Sequence, residues 1–425
     1  MPESHPPPPG DNDSPPGEPE PRPGEPEPRP GEPEPRPGDT QPRPGDAQPR
    51  PGDAQPRPDD AQPRPGDSQP RPRRFLLRTT ALLPILAIAS ALALGFLAIL
   101  LIGKDAAGGY TRMLDGAFGS PQALGETGIK AAVLTCTGLS VGLAFVVGLF
   151  NIGAEGQFIA GAFAAAIAGH ALRLPAPIHV PVALLCAAAA GALPALVAAW
   201  LKVRRGVHEV ISTIMLNWVV IYLVHDWLVV GPFKTPSSSA DISASGTPQI
   251  QATAELPRLF ASSRLDLGLP IAISFALLAW LLLTRTVLGY ELRAVGASPE
   301  AARAADIPVA RRLYLAMGLS GALAGIAGAF LILGTEHRYP GVFRTGYGFD
   351  GIAVALVGGG HPLGVLAAAA FFGALRAGST RLQLVAIHPS FAELIQGIAV
   401  LFVATRGLFA PLLDRIVAAL GRKRA

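Results

Sequence analysis

The sequence predicts an all-α fold: a polytopic bundle of about 8–10 transmembrane helices, some of them broken, behind a disordered Pro-rich N-terminal tail. Three observations predict it. The chain is 49% hydrophobic and only 16% charged, with a positive mean hydropathy, which leaves too little charged surface for a soluble globule of 425 residues. Apolar runs of roughly membrane-spanning length recur from Ala81 to the C-terminal region. The first 74 residues contain no such run and are dominated by proline, glycine and charge.

Residues 17–72 are eight copies of a seven-residue unit, beginning with Gly17-Glu-Pro-Glu-Pro-Arg-Pro23 and drifting to GDAQPRP. A period of seven suggests a heptad, but no position is apolar, so a coiled coil is excluded. Proline removes backbone donors and fixes an extended φ, so the expected state is a semi-rigid polyproline-like spacer. Residues 1–74 form this tail and residues 75–425 the membrane domain. The charge divides with them: ten Lys+Arg against fifteen Asp+Glu in the tail, and 25 against 16 in the remainder. No apolar segment opens the chain, so no cleavable signal peptide is expected.

Ten candidate segments follow in the membrane domain, at about 81–103, 128–149, 157–172, 181–201, 210–230, 268–285, 312–333, 349–360, 364–377 and 391–410. Arg71, Arg73, Arg74 and Arg78 precede the first, which places the tail in the cytoplasm by the positive-inside rule. Lys202, Arg204 and Arg205, the arginines from 285 to 312, and Arg415, Arg422, Lys423 and Arg424 fall on the same side when the spans alternate. Both termini are therefore expected to be cytoplasmic, and the Ser-rich stretch 233–266 to lie outside. Segments 349–360 and 364–377 read as too short to span. They flank Gly358-Gly-Gly-His-Pro-Leu-Gly364, where two half-helices are expected to meet. A second interruption is expected at Asn151-Ile-Gly-Ala-Glu-Gly-Gln157.

Catalytic chemistry is not encoded in any recognisable pattern. Gly103-Lys104 lacks both the upstream glycine and the following Ser or Thr of a Walker A loop, and there is no HExxH or Cys/His cluster. Cys136 and Cys186 read as small core residues, without metal or disulfide spacing. The chain is expected to be no enzyme, to bind no cofactor or metal, and to need no nucleic-acid partner.

The most informative polar stretch is Gly289-Tyr-Glu-Leu-Arg-Ala-Val-Gly-Ala-Ser-Pro-Glu-Ala-Ala-Arg303 and its continuation to Asp306. Ser298 can cap a helix with Pro299 at its first position, and Glu300 favours the positive end of the dipole. The result is a short, smooth alanine helix between two spans, suited to a groove on another protein or serving as an ordinary connection.

This stretch, GYELRAVGASPEAARAADIPVARR, resembles the coupling-helix loop of ABC importer permeases of the branched-chain amino acid, ribose and nucleoside superfamily. Phe150-Asn-Ile-Gly-Ala-Glu-Gly-Gln157, Gly206-Val-His-Glu-Val-Ile-Ser-Thr-Ile-Met-Leu-Asn217 and Tyr347-Gly-Phe-Asp-Gly-Ile-Ala-Val-Ala-Leu-Val-Gly-Gly-Gly-His-Pro-Leu-Gly364 resemble three further family blocks, in order. NIGAEGQ with the EVIST and MLN pattern is most similar to the simple-sugar and nucleoside branch. The resemblance implies a type II-like permease fold over residues 75–425 and a bacterial inner-membrane location. It also implies partners: cytoplasmic ATPase subunits that use ATP and Mg, a second permease chain, and an extracytoplasmic solute-binding lipoprotein. Nucleosides are the first substrate expected, with ribose-like sugars and branched-chain amino acids as alternatives. Gly289, Tyr290, Glu291, Arg293, Ala294, Gly296, Ala297, Pro299, Ala302 and Arg303 become the coupling loop, with Ala302 facing the docking groove and Gly296 in the turn ahead of it. Three positions depart from the pattern: Asp306 where glycine is usual, His361 where asparagine is common, and Trp218 where tyrosine is usual.

The translocation pathway is expected to use Asn151, Glu155, Gln157, Glu209, Asn217, Phe349 and Asp350. An ionisable group at membrane depth is costly, so Glu155, Glu209 and Asp350 either serve transport or bond free backbone N–H groups at helix breaks. Asn151, Gln157 and Asn217 either meet a polar ligand or knit helices together. Glu126, Glu336, His337 and Arg338 are expected near the outer mouth. Two rival classes remain open on sequence: a proton-coupled secondary transporter working through Glu155 or Asp350, and a membrane anchor whose tail recruits partners.

Overall fold

The computed structural model describes residues 73–235, 246–341, 343 and 346–405, with side chains from Leu86 onward. The repeats, Ser238 and the C-terminal basic cluster lie outside the described residues. Among the described residues all regular structure is helical apart from two isolated bridges, Gly246 with Pro340 and Arg258 with Asp266.

Ten helices account for the ten expected segments. They are α1 (Arg73–Leu101), α3 (Pro121–Val146), α4 (Ala154–Ala171), α5 (Ala176–Arg205), α6 (Glu209–Tyr222), α7 (Gly268–Arg285), α10 (Val309–Leu331), α11 (Tyr347–Val357), α12 (Pro362–Gly378) and α13 (Phe391–Ala404). The sequence did not disclose α2 (Ala106–Phe118) or α8 (Val287–Ala297), because both are mixed in polarity and shorter than a span. The capped helix expected after Ser298 is α9 (Pro299–Ala304).

Among the described residues, six helical stretches are long and apolar enough to cross a membrane: Pro121–Val146, Ala176–Arg205, Glu209–Val229, Gly268–Arg285, Val309–Glu336 and Pro362–Val385. The last corrects one expectation. Segment 364–377 is not too short, because a 3-10 turn, Ser379–Val385, continues α12 to 24 residues. Segment 349–360 does stay short: α11 ends in the turn 358–361, where Gly359 and Gly360 take positive φ. Two other spans end in π-helical turns, Leu223–Val229 after α6 and Ile332–Glu336 after α10.

Burial decides the layering. The α3 span is 83% buried and forms the axis, whereas the α6 span is 22% buried and lies at the edge. Around the axis, α4, α5 and α10 pack through small residues. A Cβ on Gly325 would overlap the Ala187 carbonyl of α5, and one on Gly161 of α4 would overlap the Gly325 backbone. Without a hydrophobic drive between helices in lipid, this close approach recovers dispersion energy.

The chain closes differently at the two ends of the bundle. At one end α8 packs under the C-terminus of α3, and α9 lies against α8 and α10. At the other, residues 246–256 lie across the ends of α4 and α10. Gln251 N–H donates to Gly169 O, Ile250 N–H to His337 O and Leu256 N–H to Leu333 O, each at 2.9 Å. His179, fully buried, fastens this segment through Thr253 Oγ1 at 2.8 Å.

Candidate functional site

Three groups of residues concentrate polar chemistry in this apolar bundle. The first sits where helices begin inside it. The opening turn of a helix leaves backbone N–H groups without partners, which is costly where water is excluded. Asn217 of α6 accepts from Gly156 N–H in the first turn of α4. Glu155, in that same turn, accepts from Gly346 N–H at 2.9 Å and Gly348 N–H at 2.6 Å, at the start of α11. One helix start is thus stabilised by the neighbouring helix, and it stabilises the next in turn. Asn151 and Gln157 form a reciprocal amide pair at 2.7 and 2.8 Å, and Asn151 also donates to Ser320 Oγ of α10 at 2.8 Å.

Charge is matched by charge elsewhere in the bundle. Asp350 pairs with Arg376 and accepts from Gln396 Nε2 at 2.8 Å, while the Arg376 guanidinium lies 4.0 Å over the Tyr347 ring. Glu209 pairs with Lys202 at 2.8 Å across the junction of α5 and α6. Of the seven expected pathway residues, Asn151, Gln157, Glu209, Asn217 and Asp350 are therefore engaged in joining helices. Glu155 and Phe349 reach a cavity.

The second group is the loop between α7 and α10. Thr286 Oγ1 caps α8 by accepting from Gly289 N–H at 3.0 Å, and Ser298 Oγ caps α9 by accepting from Ala301 N–H at 3.1 Å. Leu292, Val295, Ala302 and Ile307 turn inward and are buried. Glu291 pairs with Arg312 of α10 at 2.5 Å, which ties α8 to the bundle. Tyr290, Arg293, Ala297, Glu300 and Arg303 face outward, with Tyr290 60% exposed; Ala294 and Pro299 are intermediate.

Two expectations change here. Ala302 does not face out of the molecule; it is 2% exposed, because the α9 turn folds it against the bundle. Gly296 is not in a turn; it lies in α8, where a Cβ would overlap the Val146 carbonyl of α3. Asp306, the departure from glycine, has φ 57°, the left-handed region that glycine occupies most readily and aspartate tolerates.

The third group is the cavity itself, of about 430 Å³. One wall is α6 and its π turn, with Trp218, Ile221, Tyr222, His225 and Asp226. The other is Glu155 and Ile159 of α4 with Phe343, Gly346 and Phe349. The Trp218 and Tyr222 rings stack at 5.9 Å with 29° between planes. His225 Nε2 lies 2.5 Å from Tyr339 Oη, which fixes the π turn against the segment preceding α11. Of these residues the family pattern marks Trp218, whereas Tyr222, His225, Asp226 and Phe343 come together only in the fold. The signal for two of them was present: a His-Asp pair inside an otherwise apolar run. A second cavity, of about 470 Å³, opens at the far end of α11 and is lined by Gly142, Phe145, Ala355, Leu356 and Gly359 among others. Among the described residues there is no cluster of His, Cys, Asp or Glu able to hold a metal ion.

Comparison with known proteins agrees with this architecture. The chain is 39% identical over 332 residues to a guanosine ABC transporter permease protein of Bacillus subtilis (strain 168), covering 76% of this chain and 93% of the relative. It is 31% identical over 341 residues to a nucleoside ABC transporter permease protein of Lactococcus lactis subsp. cremoris (strain MG1363), covering 79% of this chain and 93% of that one. A glucose ABC transporter permease protein of Haloferax volcanii is 32% identical over 335 residues, covering 77% and 87%. No solved structure matches the chain. Residues 125–404 match the family described as branched-chain amino acid transport system / permease component, and the chain belongs to that family.

Proposed function

We propose that this chain is the transmembrane permease of an ATP-driven importer of nucleosides. The observation that carries this reading is the 39% identity, across 93% of its length, to a permease named for guanosine. The 32% identity to a glucose permease favours a simple sugar as the second reading.

The geometry supports a mechanism for this reading. The chain supplies no ATPase motif, so the work enters from partner ATPase subunits docked on the exposed face of α8 and α9. On this reading the loop is cytoplasmic, and the positive-inside rule assigns the N-terminal tail to the same side. The opposite end, capped by residues 246–256, faces an extracytoplasmic solute-binding protein. A second permease chain, the same or a sister, completes the membrane unit. Short α11 has a cavity at each end and begins on the Glu155 carboxylate. Movement of α8 and α9 reaches α3 through the Gly296–Val146 contact and α10 through the Glu291–Arg312 pair. The two cavities then open in turn, as rigid-body alternation requires.

The test is uptake of radiolabelled guanosine and ribose in cells carrying this chain with its ATPase. Nucleoside uptake that stops with an ATPase lacking its catalytic residue, and survives a protonophore in ATP-loaded vesicles, is the expected result. Uptake that follows the proton gradient and ignores the ATPase would establish the secondary-transporter class instead.

A further inference from the structure

The cavity beside α6 holds one acid without an assigned task. Glu155 is committed to two backbone N–H groups, so its oxygens are occupied. Asp226 is different. It lies near the end of the Glu209–Val229 span, is exposed, lines the cavity, and forms no ion pair or hydrogen bond among the described residues. An ionisable side chain in a span is a functional group by default. It sits in a π-helical turn, a local widening of the backbone found often at functional sites. Here that turn brings Asp226 and His225 to the wall that α6 presents through Trp218 and Tyr222.

The rest of the cavity suits a flat, partly polar ligand. Trp218 and Tyr222 stack on one another along α6, and Phe343 and Phe349, from other segments, line the same cavity. The volume of about 430 Å³ falls within the range of roughly 300–1,000 Å³ typical of small-molecule sites. Aromatic side chains hold bases by stacking irrespective of identity. Identity is then read by hydrogen bonds, and a carboxylate is an acceptor-only group with two oxygens side by side.

We propose that this cavity binds a 6-oxopurine nucleoside, with the base against these aromatic rings and Asp226 accepting from the N1–H and the exocyclic 2-amino group. The proposal rests on the nucleoside reading above and deepens it. Guanosine offers both donors to the carboxylate, and inosine offers only N1–H. Adenosine presents an acceptor at N1, which the carboxylate repels. The site therefore ranks guanosine above inosine and inosine above adenosine. Selection by paired donors and acceptors is stronger than selection by shape, because a mismatched partner leaves a desolvated polar group unpaired.

The experiment uses the full chain assembled with its ATPase subunits and binding protein, and measures radiolabelled guanosine uptake against unlabelled inosine and adenosine. Asp226→Asn places an amide N–H₂ where one carboxylate oxygen stood, opposing one guanine donor while still accepting N1–H. The guanosine preference over inosine should fall by about tenfold, at unchanged membrane levels of the chain. Trp218→Ala should raise the KM for every purine nucleoside by about tenfold, and Trp218→Phe should restore most of it. The binding protein is the same throughout, so a changed ratio belongs to the permease. If nucleosides are imported and Asp226→Asn keeps the wild-type ratio, the site assignment is wrong and the nucleoside reading stands. If the wild-type importer moves a hexose and no nucleoside, both fall together.

Discussion

Asp266 shows at the scale of one residue how the fold sets a chemistry that the sequence leaves neutral. It precedes α7 and is 2% exposed; Oδ1 accepts from Gly268 N–H at 2.7 Å, and Oδ2 has no hydrogen-bond partner. Burial pushes its carboxyl up to about 6, against the usual carboxylate range. A raised carboxyl binds its proton more tightly folded than unfolded. Its contribution is therefore fully present below about pH 4 and is lost as pH rises through about 6. Asp266→Asn should stabilise the chain by about 3 kcal/mol at pH 7 and by little at pH 4, read as thermal unfolding in detergent at the two pH values. A gain of equal size at both would show that packing, not charge, is responsible. Glu155 poses the opposite case, since its charge is matched by two N–H donors. Glu155→Gln keeps one acceptor and should destabilise the start of α11 by about 1–3 kcal/mol. Transport should fall while the ATPase still co-purifies, because α8 and α9 are untouched. Loss of the ATPase in this variant would mean that the α11 break and the loop are one cooperative unit.

Helical elements carry the next set of consequences, and α8 with α9 is the clearest. The inward face of Leu292, Val295 and Ala302 packs on the bundle, and the outward face of Tyr290, Arg293 and Arg303 is available to a partner. Substitutions on the two faces should fail in different ways. Ala302→Arg buries a charge without a partner, at a cost of about 3–5 kcal/mol, and should lower the amount of folded chain in the membrane. Tyr290→Ala should leave folding intact and weaken ATPase co-purification by tenfold or more, roughly the effect of removing an aromatic anchor from an interface. Normal ATPase binding and uptake in Tyr290→Ala would remove the docking role from this face. The caps at Thr286 and Ser298 explain why these short elements hold their shape at all, since six- and eleven-residue helices are marginal without them.

Orientation of the whole molecule is testable with two cysteines and an impermeant thiol reagent. A cysteine at Ser238 should label from outside intact cells, and one at Ser298 only after lysis; the reverse pattern would invert the topology and detach α8 and α9 from the ATPase. Removing residues 2–70 should leave uptake within about twofold of the full chain, because that composition cannot bury enough apolar surface to offset its ordering entropy. Much of this protein is written locally in its sequence. Apolar run length located the ten segments, Ser298-Pro299-Glu300 located the α9 cap, and Asn151–Gln157 and 358–364 located two helix breaks. These features depend on neighbours a few residues apart, which periodicity and capping chemistry record directly. Tertiary structure decided the rest. Asn217 meets the Gly156 N–H from 61 positions away, and Glu155 meets the Gly348 N–H from 193. Ala302 is hidden because α9 folds back on the bundle, although its alanine neighbours are exposed. Asp226, in the π turn after α6, lines one cavity with Phe343 and Phe349 of a distant segment. A sequence specifies which face of a helix is apolar or polar. Which partner that face meets is settled only when close-packed helices exclude every other neighbour.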